Sequence, residues 1–412
     1  MNIMESVILA VDSVRSNKLR SILTLISVTI GVFAIIGAGT LTTSIESAVS
    51  TEMSSLGETN FTISRTPAVM QHGDWRKYMK RKAITYKQAA ELKEELESNK
   101  YIEFVSSSCS GDATVVKYKS KSTDPDVYVQ GGDDNYLASS ARTIESGREI
   151  GIEDVKLSRN IALIGNDVAV KIFDGTSPLG KSITVGNQKY DVVGIFKAKG
   201  AVMGQSQDNL VVVPITNYLK YFSSEWEQSM DISVRAKDKK VLDDAINEAI
   251  GKFRIVRNIK PWAENDFEIT TNEALSESFS GLTGFLKYFG LICGIVSLGA
   301  AGVGIMNIML VSVKERTREI GVRKAIGAKK TWIILQFIIE TITICQIGGF
   351  VGIVLGVGGA WALSLALEMP LVFPIDQIIF AVIICTVLGV ISGAYPAWKA
   401  AKLDPIEALR YE

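Results

Sequence analysis

The run VKERTREIGVRKAIGAKK (Val313–Lys330) carries seven basic and two acidic residues. Its flanks are the opposite. Residues 288–313 hold no charge in 26 positions, and 331–367 hold one, Glu340, in 37. Each charge in the run would cost about 2.5–3.5 kcal/mol at the centre of a bilayer. The run therefore belongs in water or among headgroups, and its flanks are long enough to cross hydrocarbon, which takes roughly 20 helical residues.

Two further windows have the same character. Residues 21–45 are 25 positions without a charge, and 377–398 are 22. Hydrophobic residues make up 47% of the 412, and mean hydropathy is +0.22. The reading is an α-helical membrane protein with four spans: 21–45, 283–313, 332–367 and 377–398. Buried helices of a soluble protein usually run about 8–20 residues and keep a polar face. The first window follows about twenty residues and lacks a small-residue cleavage site, so it is expected to be a retained anchor.

Charge orients the chain. Arg15, Lys18 and Arg20 precede the first window, and Lys399, Lys402 and Arg410 follow the last. The connection 368–376 has no basic residue, and Glu46, Glu52 and Glu58 follow span one before any Lys or Arg. The positive-inside rule then puts both termini and the 314–331 segment in the cytoplasm, with 46–282 and 368–376 outside. The formal net charge of +0 gives no hint of nucleic acid.

Residues 46–282 read as an α+β domain. Asn60–Arg65 alternates like a strand, and Thr85 with Gln88 forms a capping box for a helix facing inward through Ala89, Leu92 and Leu96. A second strand–helix–strand set runs from Asp231 to Thr270. These two sets read as one discontinuous subdomain, about 46–109 and 226–275, with a β-rich insert at about 110–225. In the insert, Gly186-Asn187 marks a hairpin.

GTSPLGKS (Gly175–Ser182) matches the phosphate-binding pattern G-x-x-x-x-G-K-[ST]. A true phosphate loop follows a strand and opens a helix. Here a helical stretch precedes it and strands follow, and Pro178 removes an amide the cradle would use. It reads as a turn into a hairpin. His72 is the single histidine, so neither a metal site nor a Ser-His-Asp arrangement is expected. Cys293, Cys345 and Cys385 fall inside spans; Cys109 alone lies outside, which rules out an intrachain disulfide there and leaves an interchain one open.

Within the spans, small residues recur every four positions: Gly290 and Gly294; Gly348, Gly352 and Gly356; Gly389 and Gly393. Such stripes permit close helix contact, within one chain or between two. Glu340, with Gln336 one turn earlier, is the polar exception, and its expected partner is a polar group on a neighbouring helix. At the ends, 1–20 has an amphipathic pattern suited to the cytoplasmic surface. Asp404-Pro405-Ile406-Glu407 reads as an N-cap, N1 proline and N3 glutamate for a helix within 399–412.

Three long stretches, NKLRSILTLISVTIGVFAII, GIMNIMLVSVKERTREIGVRKAIGAKK and YPAWKAAKLDPIEALRYE, resemble the permeases of MacB-type ABC transporters, which have an FtsX-like membrane core. SPLGKSITVGNQKYDVVGIF extends the likeness into the outer region. The resemblance implies a homodimer, porter-like and sabre-like outer subdomains, and ATP hydrolysis by two copies of a cytoplasmic ATPase. That hydrolysis would move the outer domains, a scheme called mechanotransmission. It also implies that Lys314, Glu315, Arg316, Arg318, Glu319, Arg323 and Lys324 form the segment that meets the ATPase. Glu315–Arg318 and Glu319–Arg323 pairs fit a helix there, with Gly327 as its stop.

No cytoplasmic phosphate loop stands before span one, so ATP and Mg are expected on a separate ATPase chain, with no cofactor, metal or catalytic residue here. The implied location is the bacterial cytoplasmic membrane. The implied function is efflux of antibiotics, peptides or other small molecules, with a membrane-fusion adaptor as a further partner. The alternatives are an FtsX-like mechanotransmitter that transports nothing and a lipoprotein-releasing permease.

Overall fold

The computed structural model describes residues 18–69, 75–202, 204–222, 228–367, 369–370, 372–405 and 408. His72, nearly all of the expected amphipathic segment 1–20, and Ile406 and Glu407 of the expected terminal helix lie outside the described residues. The helices used below are α1 (Lys18–Leu56), α2 (Tyr86–Glu97), α3 (Leu242–Val256), α4 (Asn272–Glu315), α5 (Thr317–Ala325), α6 (Lys330–Ala366) and α7 (Ile375–Lys402). The strands are β1 (Asn60–Ser64), β2 (Ile102–Thr114), β3 (Val127–Gly132), β4 (Ile161–Ile164), β5 (Ser182–Val185), β6 (Gln188–Phe196), β7 (Leu210–Pro214), β8 (Asp231–Ala236) and β9 (Glu268–Thr271).

The described chain divides into two compact units: a membrane unit, 1–47 with 281–412, and a sheet unit, 48–280. The membrane unit contains the apolar parts of α1, α4, α6 and α7, the four described helices long and apolar enough to cross a membrane. Glycines set how these helices meet. A Cβ on Gly348 would touch Val28 at 3.0 Å, on Gly352 Val32 at 2.7 Å, and on Gly356 Ile36 at 2.9 Å. Both sets rise in steps of four, so α1 lays a ridge of β-branched residues into a glycine groove of α6, and the two helices run the same way. Gly290 and Gly294 admit Ala38 and Ile35 of α1, an antiparallel pairing. Gly389 and Gly393 receive Ile342 and Thr341 of α6, again antiparallel. Direction therefore alternates along the chain, and these stripes are filled by the chain's own helices.

In the sheet unit, one sheet runs β9-β1-β8-β2-β3-β7-β4-β6-β5 and ends in the short ribbon Val116–Tyr118 and Lys121–Ser122. The long strand β2 pairs with β8 along its first half and with β3 along its second, with an irregularity between Ser110 and Ala113. That step turns the strand while keeping the ladder continuous. β3 is parallel to β7 and β4 to β6; the other pairs named in this order are antiparallel. Helix α2 starts at the capping box: Gln88 N donates to Thr85 Oγ1 at 3.3 Å, and Thr85 N donates to Gln88 Oε1 at 3.1 Å. It buries Ala89, Leu92 and Leu96 against α3 and β2. Gly186 takes φ +57° in the β5–β6 hairpin, a conformation open to glycine at little cost.

Candidate coupling segment

Helix α4 ends at Glu315, and α5 begins at Thr317. Arg316 lies between them with φ −99° and ψ 16°. The chain turns here because Thr317 Oγ1 bonds back to the carbonyls of Val313 (3.1 Å) and Lys314 (2.8 Å), covering acceptors that the helix end leaves open. Glu315 and Arg318 therefore fall on separate helices. Glu319 and Arg323 are both on α5 and stand 3.8 Å apart. Gly327, with φ +100°, leads the chain out of the segment towards α6.

One side of α5 is fastened. Arg316 Nη1 reaches Oε1 of Glu340 at 3.4 Å, and Arg323 Nη1 donates to Gln336 Oε1 at 3.1 Å. Gln336 and Glu340 sit one turn apart on α6, both buried, Glu340 with only 1% of its surface exposed. Lys324 Nζ donates to the carbonyls of Ala401, near the end of α7, and of Leu403 just past it. Ile320 is buried, and a Cβ on Gly321 would strike Ala408 at 2.7 Å. The structure thus joins two groups of residues that stand apart in the sequence: the basic run and the two polar residues of span three. One partner of Glu340, Arg316, comes from the junction between α4 and α5.

The other side is open. Lys314, Glu315, Arg318, Glu319 and Val322 are exposed, and Ile326 is 82% exposed. Gly321 is a packing residue that the sequence pattern alone does not single out. An isolated glycine inside a charged helix is the available signal for close packing.

GTSPLGKS is a turn between a helix, Asn166–Phe173, and β5. Three of its amides are spent on the chain's own carbonyls: Thr176 N donates to Phe173 O, Gly180 N to Val192 O and Lys181 N to Pro178 O. The Lys181 ammonium donates to Thr176 Oγ1 at 3.2 Å and lies over the rings of Tyr118 and Phe173. A helix precedes the motif and a strand follows it, the reverse of the order a phosphate loop requires. Cys109 is buried beside Gly131, and burial pushes its thiol up to about 12, so the folded chain does not present it for pairing with another chain.

Four apolar helices of alternating direction and a fastened charged segment define a multi-pass membrane protein. Residues 21–252 match the MacB-like periplasmic core domain, and 291–405 match the FtsX-like permease C-terminal domain. The chain is 35% identical over 405 residues to the macrolide export ATP-binding/permease protein MacB of Bdellovibrio bacteriovorus, covering 97% of this chain and 61% of that protein. It is 30% identical over 416 residues to the uncharacterized ABC transporter permease YknZ of Bacillus subtilis, covering 100% of both. The periplasmic region of MacB from Actinobacillus actinomycetemcomitans aligns with 56% of this chain and 97% of its own at 17% identity, with a TM-score of 0.45. The chain belongs to the ABC transporter permeases that combine a MacB-like periplasmic core domain with an FtsX-like permease domain.

Proposed function

We propose that this chain is the permease of an ABC-type exporter and that α5 is where an ATPase transmits its movement. The supporting observation is the two-sidedness of α5. Its inner side is tied through Arg316, Arg323 and Lys324 to α6 and to the end of α7, so a push on it displaces spanning helices. Its open side offers Arg318, Glu319, Val322 and Ile326, a mixture of charge and apolar surface suited to a protein partner. The ATP-binding part named in the MacB relatives is supplied here by two ATPase copies beside a permease homodimer, with both termini and 313–330 in the cytoplasm of a bacterial inner membrane. Movement of the sheet unit then drives efflux of small molecules, together with an adaptor protein.

The test is charge reversal on the open side. The Glu319–Arg323 pair is worth only about 0.2–0.5 kcal/mol in an exposed helix. Glu319→Lys and Arg318→Glu therefore leave folding and insertion intact. A like-charge clash at the docking surface costs several kcal/mol. Both variants should lose ATPase co-purification and permease-stimulated ATP hydrolysis. Retention of both activities by both variants sinks the assignment. Orientation is checked by single cysteines at Ser122 and Ala328, both exposed. An impermeant reagent added to intact cells should label the first and not the second.

A further inference from the structure

An open groove of about 510 Å³ lies along the membrane unit, lined by Gly304, Asn307, Leu310, Val311 and Lys314 of α4 and Lys399 of α7. Lys314 is the first charge after the apolar window of α4, and Lys399 the first after that of α7. Both amines therefore stand where hydrocarbon gives way to headgroups, on the face that carries 313–330. Tyr395 and Trp398, half-exposed and with rings 6.4 Å apart, mark the same level, and Lys402 lies 3.8 Å from the Trp398 ring centre.

Neither lysine forms an ion pair among the described residues. Asn307 is exposed inside the apolar stretch of α4, and its amide makes no hydrogen bond with a described residue. Positions 307, 311 and 314 follow one face of the helix. Helical side chains lean towards the helix N-terminus, so Lys314 leans back over Val311 towards Asn307. Two like charges facing one apolar groove call for an anion with a hydrophobic tail.

We infer that this groove binds one anionic glycerophospholipid. Its phosphate lies between Lys314 and Lys399, an ester carbonyl accepts from the Asn307 amide, and an acyl chain runs along Leu310, Val311 and Gly304. Basic pockets between spanning helices on the cytoplasmic side commonly hold such headgroups. A water-soluble ATPase cannot reach Asn307 or Val311 in hydrocarbon, and a second copy of this face would bring two more cations to the same place. The site does not depend on the coupling reading of α5. It does move Lys314 from the ATPase surface to the lipid.

The test is native mass spectrometry of the full-length permease in detergent, titrated with phosphatidylglycerol, phosphatidylcholine or inorganic phosphate. One phosphatidylglycerol per chain should bind more tightly than phosphatidylcholine and should resist displacement by inorganic phosphate. The double variant Lys314→Ala/Lys399→Ala should weaken it by about thirtyfold, from the attraction that two lysines exert on anionic lipid. Lys314→Arg/Lys399→Arg should retain it. Lys329→Ala/Lys330→Ala removes the same charge elsewhere and should weaken it by less than about threefold. Equal weakening by the two alanine pairs overturns the site, since the attraction would then be general. So does equal binding of phosphatidylcholine, or displacement by inorganic phosphate, which would make the ligand a free anion. If the alanine pair does not fold, the arginine pair and the headgroup preference of the wild type decide.

Discussion

The two units solve burial in opposite ways. The sheet unit encloses large side chains: Phe61, Tyr190, Tyr218 and Phe253 are among its fully buried residues. The membrane unit encloses small and polar ones, including Gly294, Gly352, Thr40, Thr341, Ser392, Gln336 and Glu340. Many of its large residues point outwards, Phe285 at 69% and Phe350 at 67% exposure, although Ile36, Ile305 and Phe337 stay buried between the helices. Water drives apolar groups together in the first unit. Lipid gives no such drive in the second, so close backbone approach and polar pairing hold the helices instead. The same residue type therefore has a different worth in each unit.

The largest effect expected from that contrast is Phe253→Ala, which should destabilise the sheet unit by about 3–5 kcal/mol. The matching change on the lipid face, Phe350→Ala, should stay within about 0.5 kcal/mol. Denaturant melts of the purified protein, followed by a probe in each unit, compare them; equal losses would erase the distinction. Next comes Glu340→Ala, which strands Arg316 and should cost about 3 kcal/mol. Glu340→Met with Arg316→Met should recover most of that loss, measured as the melting midpoint of the membrane unit.

Gly352→Val comes third. Its Cβ would meet Val32 at 2.7 Å and the Thr29 carbonyl at 2.8 Å, so overpacking by about 1–3 kcal/mol is expected. Gly358→Val should be neutral, because nothing lies within 4 Å of its Cβ. A reversed order would show that α1 and α6 do not meet where described. The smallest effect belongs to Cys109. Burial raises its thiol to about 12, so at pH 8 roughly one molecule in ten thousand carries the thiolate. Alkylation mapped by mass spectrometry should leave it unmodified until the protein unfolds. Raising the pH to 9 should not change that, because the reactive form is gained only near the raised value.

The spans are legible because a chain rarely runs 22 to 37 residues with at most one charge unless it faces hydrocarbon. The helix ends are not. α1 runs as one helix from Lys18 to Leu56, through Glu46 and Glu52, because the composition that lipid requires is only part of what a helix tolerates. The capping box at Thr85 is readable since it depends on residues three apart. The continuity of the sheet through β2 is not, since strand pairing across more than a hundred residues leaves no local pattern. At the coupling segment, residue types point to charge and to a buried carboxylate, but joining Arg316 to Glu340 requires knowing that the chain breaks at 316. The face of each glycine is readable from its spacing; its occupant is not.

The fastening of α5 also bears on the order in which the chain assembles. Arg323 reaches Gln336 across 13 residues, and Arg316 reaches Glu340 across 24, so the second contact encloses the first. Closing the inner loop leaves fewer free residues for the outer one, and the entropic cost of closure grows with the length still free. Both contacts are available once residue 340 has been synthesised. Those from Lys324 to Ala401 and Leu403, 77 and 79 residues away, wait for the last helix. The hairpin of α5 and α6 can therefore form as a nascent unit onto which α7 later locks.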